Sequence, residues 1–221
     1  MLPAGKERHM RAILISIRPE WVAKILNGEK TIEIRKTAPK CDLPVEVYIY
    51  CTKSNKYLLD YEFEKDGSNF FVWNMKSNHY PFKGESDHCF NGKVVAKFTL
   101  NKIENFINGM NELEREWDGK PDAEYDYFAY EKALEKACLT YEEAEKYCPD
   151  QSFYAWHISD LEIFDEPKEL DEFKYWKEYP SCKKCPHAED ENDIAVCENR
   201  CRELLTVKRA SRSWCYVEAR E

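Results

Sequence analysis

The hydrophobic periodicity changes twice between residues 12 and 35, and this change constrains the fold more than any other feature of the chain. Residues 12–17, AILISI, are a continuous apolar run, which predicts a buried strand. Residues 20–28, EWVAKILNG, carry apolar side chains four apart, as on one face of a helix, and Gly28 is suited to end that helix. This unit is not repeated regularly along the chain, which argues against a doubly wound parallel sheet.

The segment that follows the helix, KTIEIRK, is predicted to be a half-buried strand with two chemically different faces. Ile32 and Ile34 fall on one face, because side chains alternate along a strand. Thr31, Glu33 and Arg35 fall on the other face. A hydroxyl, a carboxylate and a guanidinium group therefore line up on one side of this strand.

Further elements are expected along the rest of the chain. Strands are predicted at residues 45–52, 91–106, 154–164 and 213–219, helices at 111–148, and a short helix near 198–206. Thr140 and Glu143 have the spacing of a capping box, which predicts a helix start at Tyr141. The expected fold class is α+β: a small, mostly antiparallel β-barrel with helices packed outside it.

The charge distribution limits the kinds of partner. The formal net charge is −9, and acidic side chains greatly outnumber basic ones in residues 104–178. Extensive binding of duplex DNA is not expected, because phosphate contacts require a basic excess. A short RNA, a nucleoside or a nucleotide at a local basic site stays open. The acidic stretch is interpreted as a solvated helical face, with a protein-interaction surface for a basic partner as the alternative.

Length and hydropathy indicate one globular domain. We expect an N-terminal extension at 1–11 and a single domain at 12–221, with an acidic helical insertion at about 104–150 and a Cys-rich insertion at about 180–206. No apolar run approaches the roughly 20 residues of a membrane span, and no signal peptide is visible. A cytoplasmic protein without membrane contact is therefore expected.

The Cys-rich segment predicts a metal site. Cys182 and Cys185 form a CxxC, and Cys197 and Cys201 follow as a CxxxC. Four thiolates at such spacing suit a structural, tetrahedral zinc ion, with His187 as a possible substitute ligand. An iron–sulfur cluster needs the same four thiolates, and unligated cysteines are the third interpretation.

The region around the first helix resembles a known family. Gly28, Lys30, Glu33 and Arg35 match the pattern Gly-x-Lys-x-x-Glu-x-Arg that marks the ASCH domain family. The segments GKVVAKFTLNKIE, CLTYEEAEKY, YAWHISDLEIF and SWCYVE are similar to phage and prophage members of that family. The resemblance implies a PUA-like β-barrel with a cleft between the barrel and the first helix.

The resemblance also implies a function. Many family members are associated with RNA, some small bacterial members are amidohydrolases that deacetylate N4-acetylcytidine, and others are ribonucleases. In those amidohydrolases a lysine, a threonine and a glutamate act together. The lysine matches Lys30, whereas the threonine position holds Glu33 here, and Glu135 is the acid nearest to the position of the glutamate.

The candidate site is therefore a polar cleft at this motif. Lys30 and Glu33 are the candidate catalytic pair, and a carboxylate close to a lysine opposes its use as a nucleophile because it favours the ammonium form. The candidate ligand-binding residues are Gly28, Thr31, Arg35, Trp156 and His157. RNA or nucleoside binding is the first hypothesis and hydrolysis the second. The alternatives are a structural salt-bridge network for the charged residues, core packing for Trp156 and a structural role for His157.

Overall fold

The computed structural model describes residues 11–63, 69–75, 90–111, 123–178 and 202–219. The helices in these ranges are α1 (Pro19–Leu26), α2 (Ala123–Lys136) and α3 (Tyr141–Tyr147). The strands are β1 (Arg11–Ile17), β2 (Ile32–Arg35), β3 (Val45–Cys51), β4 (Tyr57–Phe63), β5 (Asn69–Met75), β6 (Val94–Leu100), β7 (Ile103–Ile107), β8 (Met110–Asn111), β9 (Phe153–His157), β10 (Ser159–Lys168), β11 (Lys174–Glu178), β12 (Arg202–Thr206) and β13 (Trp214–Glu218).

The larger sheet has five strands in the order β10-β6-β3-β1-β13. Its pairs are antiparallel except β1 with β3, which run parallel because α1 and β2 intervene between them in the chain. One face of this sheet and the apolar side of α1 form the main core. Members of that core include Ile13, Ile15, Val22, Ile25, Val47 and Phe98, all at most 1% exposed.

The second sheet has the order β2-β9-β7-β8 and is entirely antiparallel. One of its faces packs against α2 and α3 through Ile32, Phe106 and Phe153. The other face contributes Trp156 to the main core. The sheet is thus covered on both sides, which explains why β2 is buried throughout rather than half-buried as predicted. The remaining strands form two antiparallel two-stranded sheets, β4 with β5 and β11 with β12.

Helix α1 is formed as the sequence predicts. Pro19 occupies its first turn, where the missing backbone N–H costs nothing, and Asn27 caps its end. Gly28 has φ +76° and donates its backbone N–H to Ile25 O at 2.9 Å, while Glu29 N–H donates to Lys24 O at 2.9 Å. This pair of hydrogen bonds is a Schellman motif, which turns the chain directly into β2. None of the described helices is long and apolar enough to cross a membrane.

The α+β class and the mostly antiparallel pairing are confirmed, but several details differ. The strands of the described ranges do not form a closed barrel. The predicted strand 91–106 is two strands, because the chain leaves the larger sheet after Leu100 and enters the second sheet at Ile103. The predicted strand 154–164 likewise divides at Ile158 into β9 and β10.

The predicted helix near 198–206 is wrong for the described part, residues 202–206. That segment is β12, because its backbone finds an antiparallel partner in β11. Two other predictions are confirmed: the capping box at Thr140 and Glu143, and the helix start at Tyr141. Residues 1–10 of the expected extension and 179–201 of the Cys-rich insertion lie outside the described residues.

Candidate functional site: a polar cleft beside the first helix

The charged residues of the motif are buried and lie together. The side chains of Lys30, Glu33 and Arg35 belong to residues that are only 3%, 8% and 6% exposed. Glu33 and Arg35 lie on the face of β2 opposite Ile32 and Ile34, as the alternation predicts. The short turn after Gly28 places Lys30 beside them.

Glu33 is the centre of this charge network. One of its carboxylate oxygens lies 3.3 Å from Lys30 Nζ, and the other lies 3.0 Å from Arg35 Nε. Arg35 Nε is within ion-pair distance of the carboxylate but has no hydrogen-bond acceptor among the described residues. A buried charge is costly unless it is paired, so the two cations and the anion stabilise one another.

Backbone carbonyls and a hydroxyl from distant segments complete the network. Lys30 Nζ donates a hydrogen bond to Ala137 O at 2.8 Å, just after the end of α2. Arg35 donates to Ser16 O at 2.8 Å and to Ser213 Oγ at 3.4 Å. These contacts orient both cations, and the three segments involved are far apart in the sequence.

Burial and the carboxylate act on Lys30 in opposite directions. Burial lowers the pKa of Lys30 and is the largest influence, while the nearby charge of Glu33 and its hydrogen bond raise it. The net direction is downward. Lys30 is therefore a buried lysine whose proton is held less tightly than that of an exposed lysine.

The network forms part of the wall of a cleft of about 620 Å³. Further lining residues that the sequence analysis did not assign to the site are the cations Arg18, Lys146 and Arg212, the hydroxyl-bearing Ser16, Thr52 and Ser213, the aromatic Trp21 and Tyr147, and the acidic Glu143. Among the described residues that line this cleft, cations outnumber carboxylates, although the whole chain is acidic. The cleft is thus a local basic site of the kind that the charge distribution leaves open.

Two aromatic side chains on the cleft have different surroundings. The ring of Trp21 already meets cations, since Lys24 Nζ lies 5.0 Å and Lys30 Nζ 5.4 Å from its centroid. Tyr147, at the end of α3, is 39% exposed, and Lys36 Nζ lies 5.1 Å from the centroid of its ring. Burial of its hydroxyl raises the pKa of Tyr147. Tyr147 therefore offers more free ring surface than Trp21.

The other predicted ligand-binding residues lie elsewhere. Gly28 and Thr31 are exposed and do not line the cleft. Trp156 is fully buried, and its indole N–H has no hydrogen-bond acceptor among the described residues, a placement that favours packing over stacking on a ligand. His157 points to the opposite face of the second sheet, where its Nε2 lies 2.6 Å from Glu104. The fold thus brings only Lys30, Glu33 and Arg35 together.

The predicted metal ligands Cys182, Cys185, Cys197 and Cys201 lie outside the described residues. Within the ranges that are described, no group of three or more His, Cys, Asp or Glu side chains could hold a metal ion. The cysteines found there are free thiols: Cys41, Cys51, Cys138, Cys148 and Cys215. The zinc site therefore stays a prediction.

Comparison with known proteins gives a family and structural neighbours. A family model described as the ASCH domain matches residues 15–189. A crystal structure of ASCH from Zymomonas mobilis is 17% identical over 72% of this chain and 74% of that chain, with a TM-score of 0.42. A mutant of that protein is 17% identical over 74% and 77% of the two chains, with a TM-score of 0.42. No curated protein matches the chain.

Proposed function

The chain belongs to the ASCH domain family, and from that premise we propose that the polar cleft beside α1 binds RNA or a single modified nucleoside. The observation that carries this proposal is the buried network of Lys30, Glu33 and Arg35 on the wall of a locally basic cleft. Fixed, desolvated donors recognise polar ligand groups selectively, because an unsuitable ligand leaves them unpaired.

The exposed and the buried cations would have different tasks. Arg18, Lys146 and Arg212 line the cleft and can bind phosphate oxygens, which contributes affinity without sequence preference. Lys30 has three N–H donors, of which Ala137 O and Glu33 occupy two. The third donor can meet an acceptor on a base. The ring of Tyr147 would stack on the base, as aromatic side chains do with single-stranded RNA.

Equilibrium binding of short single-stranded RNAs and of nucleosides tests this proposal. We expect Arg212→Gln to weaken RNA binding several-fold and to leave nucleoside binding nearly unchanged. Lys30→Met nearly keeps the length of the side chain and removes its charge. It should therefore weaken the binding of both ligands by about tenfold, the equivalent of one charged hydrogen bond.

Lys174→Gln is the matched control, because Lys174 is exposed and does not line the cleft. It should bind like the wild type. Circular dichroism and the melting temperature of each variant separate lost binding from lost folding. Equal binding by all these proteins, or no binding of any RNA or nucleoside, would contradict the proposal.

Hydrolysis is the second candidate function, and the buried Lys30 is the observation in its favour. The lowered pKa of Lys30 is the direction that a lysine base or nucleophile requires. Three facts place hydrolysis second. Glu33 pairs with Lys30, and Glu33 occupies the position at which the related amidohydrolases have a threonine. Glu135 is exposed and does not line the cleft. Glu143 does line the cleft, but its carboxylate accepts the Thr140 N–H of the capping box.

Chromatography of N4-acetylcytidine incubated with the protein distinguishes the two candidates. Deacetylation that disappears in Lys30→Met would favour the amidohydrolase. Fragmentation of a labelled RNA that disappears in the same variant would favour a ribonuclease. An unchanged nucleoside and an intact RNA at high protein concentration, together with binding of either ligand, would support binding without catalysis.

A further inference from the structure

A second hollow lies on the opposite side of the β2–β9–β7 sheet from the cleft. It measures about 380 Å³ and lies between that sheet and α2. Its floor is apolar and includes Ile32, Phe106 and Ala133. Strand alternation separates the two sites, because Ile32 faces this hollow while Glu33 faces the cleft. A hollow of this size can hold a small ligand.

The rim of the hollow is basic. Lys102, Lys132 and Lys136 line it, and Glu104 is the one carboxylate among the lining residues that the structure describes. Glu104 is already held by Lys102 at 2.9 Å and by His157 at 2.6 Å. No described residue forms an ion pair with Lys132 or Lys136. Among the described lining residues the hollow is therefore positively charged, and Lys132 and Lys136 have no ion-pair partner there, although they belong to an acidic part of the chain.

An aromatic side chain continues the basic row on α2. Phe128, Lys132 and Lys136 are spaced four residues apart and all line the hollow. Phe128 is 66% exposed, which is unusual for a phenylalanine and leaves its ring accessible. Successive members of the row are about 6 Å apart along the helix axis. That separation is comparable with the separation of the base and the phosphate of one nucleotide.

We propose that this hollow is a nucleotide-binding site, in which Phe128 stacks on the base while Lys132 and Lys136 bind the phosphate. Exposed aromatic rings beside basic side chains bind single-stranded nucleic acids with little sequence preference, because every base has a face on which a ring can stack. The nucleotide is either a free nucleoside monophosphate or one residue of an RNA chain, since both present the same base and phosphate. The site does not depend on binding of RNA in the cleft.

Methyl NMR locates binding at each of the two sites. The methyl groups of Ala129 and Ala133 report on the hollow, and those of Ile17 report on the cleft. Uridine monophosphate, uridine and an oligouridylate are titrated separately into the labelled protein. We expect uridine monophosphate to shift the two alanine methyls and uridine to bind much more weakly, because uridine lacks the phosphate.

Substitution of the exposed residues completes the test. Lys132→Gln/Lys136→Gln should weaken the binding of uridine monophosphate, as measured from the shifts of the two alanine methyls, by about tenfold or more. Phe128→Ala should weaken the same binding several-fold. Lys174→Gln/Lys208→Gln makes the same charge change at exposed positions outside the hollow and should have no effect.

If only the oligouridylate shifts the alanine methyls, and if these shifts disappear in the lysine double variant, the bound nucleotide is a residue of an RNA chain. Equal binding by the double variant and its control, or no shift of the alanine methyls with any ligand, would overturn the proposal. Shifts at Ile17 report on the cleft separately, so failure at one site does not imply failure at the other.

Discussion

At the scale of single residues, the distinctive feature is a carboxylate shared by two buried cations. Glu33 lies between Lys30 and Arg35, and each cation also donates to a backbone carbonyl. Such an arrangement is a poor source of net stability but holds its donors in fixed positions. Fixed donors on a cleft wall suit ligand recognition.

Glu33→Gln tests this arrangement. We expect the pKa of Lys30 to fall further, because the carboxylate that raises it is removed while burial persists. The protein should also lose about 3 kcal/mol of stability, since two buried cations lose their partner. NMR titration of the Lys30 side chain and urea unfolding measure the two effects. Glu142→Gln, an exposed acid outside the cleft, is the control. An unchanged or raised pKa of Lys30 would contradict the assignment.

Glu104 predicts a pH dependence of stability. The hydrogen bond from His157 is the largest cause that lowers the pKa of Glu104, from 4.5 to about 2. A lowered carboxyl pKa stabilises the fold at pH values above 4.5, and this contribution is lost as the pH falls through about 2. Glu104→Gln should therefore cost on the order of 2 kcal/mol at neutral pH and little near pH 2. Urea unfolding at several pH values measures the difference. A cost that does not change with pH would show that the pair lacks this role.

At the scale of elements, the site depends on how α1 ends. The Schellman motif at Gly28 reverses the chain within three residues, so that Lys30 meets the first residues of β2. The whole unit is local, from Pro19 to Arg35, which explains why the sequence predicts it well. The helix, its terminal glycine and the two faces of β2 are all encoded by periodicity and by residue type.

Gly28→Ala measures the contribution of this turn. A methyl group at position 28 would meet no atom within 4 Å, so the cost arises only from the positive φ of +76°. We expect about 1 kcal/mol of lost stability, and a smaller loss for Gly28→Asn, because asparagine tolerates this conformation better. Urea unfolding provides the values. An alanine variant as stable as the wild type would show that the turn can relax.

The Cys-rich segment carries the remaining prediction at this scale. Cys182, Cys185, Cys197 and Cys201 are expected to bind one structural zinc ion, with an iron–sulfur cluster as the alternative. Elemental analysis of protein purified without chelator should find about one zinc per chain. Cys182→Ser/Cys185→Ser should remove it, and Cys41→Ser is the control. Less than about half an equivalent of both zinc and iron would rule out the site.

At the scale of the whole molecule, the cleft is assembled from segments that no local pattern connects. Ser16, Ala137 and Ser213 meet the motif from three distant parts of the chain. Tyr147 and Arg212 join the cleft in the same way, and their types and spacing give no sign of it. The sequence therefore predicts the motif and its neighbourhood, whereas the rest of the site follows from tertiary packing.

The same limitation explains the incorrect predictions. The β-branched and aromatic residues of 91–106 indicate that strands form, but they do not show where the chain passes from one sheet to another. The segment RELLT is too short, and carries too little periodicity, to distinguish strand from helix without its partner β11. The case of His157 differs: it neighbours Trp156 in sequence, alternation places its side chain on the other face of the sheet, in the second hollow, and its role in ligand binding stays a prediction.

Photo-crosslinking of RNA that contains 4-thiouridine, followed by mass spectrometry of the peptides, tests the central claim most directly. The account predicts cross-links to the cleft residues Trp21 and Tyr147, and their loss in the Lys30→Met and Arg212→Gln variants. Lys174→Gln should preserve them. Cross-links that avoid both cleft residues, or cross-links that persist unchanged in the two cleft variants, would contradict it.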